Sequence, residues 1–76
     1  MAKMASTRAQ VDLSRRAALV STNAPDWRTM SPEDQDRFVN DVLNADGFSS
    51  LSYKWQRLIE SAEAVEARNI AAARRA

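Results

Sequence analysis

Apolar residues recur at helical spacing in three blocks of this chain, and two shorter stretches rich in turn-forming residues separate them. In the first block Ala9, Leu13, Ala17 and Val20 fall on one stripe, which predicts a helix over about 6–21. Arg8, Asp12 and Arg16 follow one another at four-residue steps, so ion pairs are expected along its outer face, each contributing only about 0.2–0.5 kcal/mol. Residues 22–31 read as a connector: Pro25 disfavours helical geometry at Ala24, and Asn23 is a ready terminator. Trp27 lies inside that connector and is expected to fold back as a lid over the core, the alternative being an exposed anchor for a partner.

The second block opens with the clearest local signal in the chain. Ser31 is a good N-cap, Pro32 follows at the first helical position, and Glu33 and Asp34 sit at the positive helix end. A helix is predicted over 32–45. Phe38, Val39, Val42 and Leu43 form its apolar face, with Asp34, Arg37, Asp41 and Asn44 looking outward. Gly47 is expected to end it in the left-handed conformation.

For the third block, Ser49 or Ser50 is the expected cap of a helix over 50–74, striped by Leu51, Trp55, Leu58, Ile59, Ala62 and Val65. At 1.5 Å per residue, with the stripe followed to Arg75, it would reach about 39 Å, against about 24 Å and about 21 Å for the first two, so its C-terminal part should outrun the bundle. From Trp55, heptad steps give Leu58, Ala62, Val65, Asn69 and Ala72, a thin coiled-coil seam in which Asn69 can set register. The competing expectation is that this stretch packs on the first helix or frays.

The fold class is therefore all-α: one domain over 1–76, a small three-helix bundle with a long C-terminal helix. The expected core is Leu13, Ala17, Val20, Phe38, Val42, Leu43, Leu51, Trp55, Leu58 and Ile59, with Trp27 and Phe48 closing its ends.

Composition narrows what such a bundle does. With 20 large apolar residues and 14 alanines among its 76 residues, the core is modest, and there is no cysteine for a disulfide to supplement it. Self-association or a partner is the remaining route to extra burial. The net charge of +1 is uneven: residues 1–30 carry +3, residues 31–48 carry −4, and residues 49–76 carry +2. An acidic middle helix between basic neighbours explains this, and no face is basic enough to announce nucleic acid. Nine arginines against two lysines, with abundant alanine, match the codon usage of a GC-rich bacterial or phage genome. No apolar run approaches membrane-spanning length or a signal-peptide core, so a cytoplasmic protein is expected. The basic, Ser- and Ala-rich first 22 residues superficially resemble a transit peptide, but Asp12 and the in-register stripe favour an ordinary first helix.

The chain also lacks histidine, so the usual neutral-pH base, the thiolate nucleophile and the common zinc ligands are missing together. Asn44, Asp46 and Gly47 match the middle of a calcium loop, but Val42 and Tyr53 occupy its two anchor positions. Ser49, Ser50 and Ser52 have no base to activate them, and one glycine cannot build a phosphate loop. No enzyme, metal or cofactor is expected.

The leading expectation is a non-enzymatic protein-interaction module, a small accessory regulator or inhibitor docking through the third helix on a larger protein or on itself as a homodimer. Its contact residues would be Trp27, Val65, Asn69 and Ile70. The alternative is DNA binding by residues 49–57, because residues 33–60 resemble a helix-turn-helix in architecture, with Ser49, Ser52, Tyr53, Gln56 and Arg57 facing outward. Asp46 stands where such a turn buries an apolar residue, and Glu33, Asp34, Asp36 and Asp41 would face the phosphates. A third expectation is a minor structural subunit of a viral or other assembly.

Overall fold

The computed structural model describes residues 7–75, all helix, turn or connector. Helix α1 spans Thr7–Ala18, a one-turn continuation α2 spans Val20–Asn23, α3 spans Pro32–Asn44, a 3-10 turn covers Phe48–Ser50, and α4 spans Tyr53–Arg75. The expected start at Ser6 lies outside the described residues.

The first predicted helix ends at Asn23, two residues later than expected, and is interrupted at Leu19. There the backbone tightens, with Leu19 N–H donating to Arg16 O at 3.2 Å. The hydroxyls of Ser21 and Thr22 donate to Ala18 O and Leu19 O, a competition for carbonyls that bends helices. Ala24 is extended ahead of Pro25, as proline demands of its predecessor. Ser31 Oγ accepts from Asp34 N–H at 3.1 Å, confirming the predicted cap of α3.

The end of α3 departs from expectation. Ala45 leaves the helix in extended geometry (φ −80°, ψ 148°), and Gly47 is itself fully extended at φ 175°, so no left-handed residue is used. A methyl group placed on Gly47 would meet Ala9 Cβ at 3.7 Å, ordinary contact distance. Ser49 and Ser50 form the 3-10 turn instead of capping the last helix, which starts at Tyr53 rather than 50. The Gln56 side-chain amide holds that turn by donating to Phe48 O and Leu51 O.

The core lies where the three rods converge: Leu13 and Val20 from the first, Phe38 and Val42 from α3, Leu51 ahead of α4, and Trp55, Leu58, Ile59 and Ala62 from α4. The buried Ala24 and Ala45 close its ends, with Trp27 and Phe48 half-buried beside them. Ala17 is also half-buried. Leu43, expected inside, is 61% exposed, and Val39 on the same expected face is 49% exposed.

Trp55 joins the elements. Phe38 meets it edge-on with ring centroids 5.3 Å apart, and Trp27 meets Phe38 likewise at 5.7 Å. The indole N–H donates to Asp41 Oδ2 at 2.7 Å, so Asp41 turns toward α4 rather than outward. Arg16 likewise crosses to α4 instead of pairing along its own helix. Its guanidinium holds Glu63 through two bonds of 2.6 and 3.0 Å and lies 4.0 Å over the Phe48 ring, and the Glu63 hydrogen bond raises its pKa above the usual arginine value. Farther along, Asn23 donates to Glu66 at 3.0 Å. From Ala67 to Arg75, α4 is helical and exposed, whereas the start of the overhang, Val65 and Glu66, is half-buried, with Glu66 held by Asn23 at the end of the first helical block. At 23 residues α4 is about 34 Å long and outruns the bundle as predicted.

Trp55→Ala should cost about 3–5 kcal/mol, enough to unfold a domain of this size, as measured by thermal circular dichroism. Gly47→Ala should be neutral or stabilising by up to about 1 kcal/mol, because its backbone is open to any residue; a loss above that would reinstate a special role for the glycine.

Candidate functional site

Leu43 and Val39 are exposed because α3 carries more apolar surface than one core can cover. At 100° per residue, Phe38 and Val42 form one stripe while Val39 and Leu43 form a second, displaced by about 100°. The first faces α4 and the second faces past α1. A second stripe exists on α1 and its continuation as well: Leu13 of α1 and Val20 of α2 are buried, whereas Val11, Ser14 and Ala18 lie on the exposed flank.

These flanks adjoin. The Gln10 side-chain amide donates to Leu43 O, tying the start of α1 to the end of α3, so the two helices run antiparallel. Between them lies an apolar groove of about 210 Å³, with the buried Phe38 and Val42 and the half-buried Ala17 in its lining and the exposed Ser14, Ala18, Val39 and Leu43 around it. A shallower hollow over Val11, Ser14, Arg15 and Ala18 shares the Leu43 wall and extends the same face. Three of the five exposed large apolar residues among those described, Val11 (47%), Val39 (49%) and Leu43 (61%), border these two depressions.

The residues singled out from sequence are dispersed. Trp27 walls the α1–α3 groove, half-buried against Phe38, with its carbonyl accepting from Gln35. Val65 is half-buried on α4, and Asn69 and the 46% exposed Ile70 lie on the projecting part of that helix. Ser52, Tyr53 and Arg57 are exposed, the Arg57 guanidinium lying over the Tyr53 ring at 5.8 Å, while the Gln56 amide is committed to the 3-10 turn. The connection from α3 to α4 takes eight residues, 45–52, longer than the three- or four-residue turn of a helix-turn-helix. Val11, Val39 and Leu43 were missed as site residues, although the unusually wide apolar arc of Phe38, Val39, Val42 and Leu43 carried the signal.

Among the described residues, no three acidic side chains gather as a metal-binding group, and no helix is long and apolar enough to cross a membrane. The fold and this face together define a small all-α domain with an uncovered apolar surface between two antiparallel helices. Comparison with protein-family models, with curated proteins and with solved structures finds no significant match.

Val39→Gln and Leu43→Gln should each change stability by less than about 0.5 kcal/mol, whereas Ile59→Ala should cost about 2–5 kcal/mol in urea unfolding. Comparable losses at all three positions would place Leu43 in the core.

Proposed function

We propose that this chain is a protein-interaction module, acting by docking rather than by chemistry, and that its docking surface is the α1–α3 face. The observation that carries this reading is the grouping of Val11, Val39 and Leu43 around two adjoining depressions that share Ser14, Ala18 and Leu43. Contiguous exposed apolar surface of this kind marks interaction sites, because leaving it in water forgoes its burial free energy. The small side chains of Ser14, Ala17 and Ala18 along α1 leave room for the side chains of an apposed helix, as in helix-in-groove recognition. The projecting part of α4 is a weaker anchor, since Ile70 is its one large apolar residue. The lack of histidine and cysteine across the sequence supports binding over catalysis.

A photo-crosslinking residue introduced at Leu43 should give a discrete adduct in cells of the native host, and the same residue at the exposed Glu60 of α4 should give none. Equal labelling at both positions, or none at either, would end this reading.

A further inference from the structure

The geometry points to a second copy of this chain as the occupant of the α1–α3 face, in a two-fold dimer whose axis runs parallel to the two helices. This rests on the reading of that face as a docking surface and names its partner.

The Gln10 side chain reaches Leu43 O, which sets the level of α1 against α3 to within about a turn. In an antiparallel pair, four residues forward on α1 match four back on α3, so Ser14 stands level with Val39 and Ala18 with Gln35. Charge differs between the two borders of the face. Along α1, Arg8, Asp12 and Arg15 are exposed, a border that is basic on balance, and Arg15 lines the shallower hollow. Along α3, Asp36 is exposed three residues before Val39, on the same side of the helix, with Glu33 a turn earlier.

Two copies stacked face to face can be related in two ways. An axis running across the helices lays α1 on α1 and α3 on α3, so that basic meets basic and acidic meets acidic. An axis parallel to the helices lays α1 of each copy over α3 of the other at the same level, and every border then meets its opposite. In that arrangement Leu43 of one copy covers Val11 of the other, Val39 enters the hollow beside Ser14, and Asp36 comes beside Arg15. Two-fold symmetry makes each contact twice. The face is thus complementary to itself in charge, through one of the two arrangements only. With two short helices per copy the interface is small, so the dimer is weak, with a dissociation constant on the order of micromolar.

Sedimentation equilibrium of the full chain over roughly 1 μM to 1 mM should show reversible dimerisation, abolished by Leu43→Glu. Arg15→Glu and Asp36→Arg, each alone, should weaken it by about tenfold, since attraction becomes repulsion at both symmetric pairs. Mixing the two single variants should restore association, as a heterodimer in which every pair is again opposite in sign. Circular dichroism melts that match wild type at concentrations well below the dissociation constant, where both are monomeric, separate these effects from unfolding. A chain monomeric across the whole range, a dimer indifferent to Leu43→Glu, or variants that fail to rescue each other on mixing would overturn the proposal. If the chain stays monomeric while the crosslinker at Leu43 captures a different polypeptide, the second copy is wrong as partner and the docking face stands.

Discussion

The Trp55 side chain is the constraint from which the rest of the arrangement follows. It is the largest group in the core, and its indole N–H must find an acceptor once buried. Asp41 supplies that acceptor from α3 at 2.7 Å, and Phe38 one turn earlier supplies the edge-on ring contact. These two contacts fix how α3 is rotated about its own axis. With Phe38, Asp41 and Val42 turned toward α4, Val39 and Leu43 have nowhere to go but the opposite flank. The exposed apolar face is therefore a consequence of satisfying the tryptophan.

The remaining contacts brace that choice. Arg16 reaches Glu63 with two hydrogen bonds while its guanidinium covers the Phe48 ring, joining α1, the 3-10 turn and α4 at one point. Both charged partners are roughly one-third exposed, so this bridge positions the elements more than it stabilises them. Among the described residues no buried side-chain polar atom lacks a partner. A core so small leaves little stability in reserve, and burying the α1–α3 face in an interface would add to it.

Local chemistry was legible wherever it depended on neighbours in the chain. The Ser31-Pro32-Glu33-Asp34 start of α3, the break before Pro25 and the uninterrupted run of α4 past the bundle each follow from backbone sterics, capping or an unbroken pattern, and all three appear as expected, although α4 starts at Tyr53 rather than 50. Gly47 was misread because its sequence context suits a left-handed cap, while Ala45 had already left the helix by an extended route. Arg16 and Asp41 were misread for a related reason. Along the chain Arg16 has Asp12 four residues before it and Asp41 sits on a polar stripe, but their actual partners, Glu63 and Trp55, lie 47 and 14 residues away.

By itself, then, the sequence determined the helical class, the number of rods, their main boundaries and most of the core, since periodicity and capping are properties of a few adjacent residues. Which of two apolar stripes on α3 faces inward was decided only by tertiary structure. Phe38–Val42 and Val39–Leu43 are equally good helical stripes, and nothing local separates them. Packing against Trp55 chose the first, and the second, left on the surface beside Val11, became the face on which the functional reading rests.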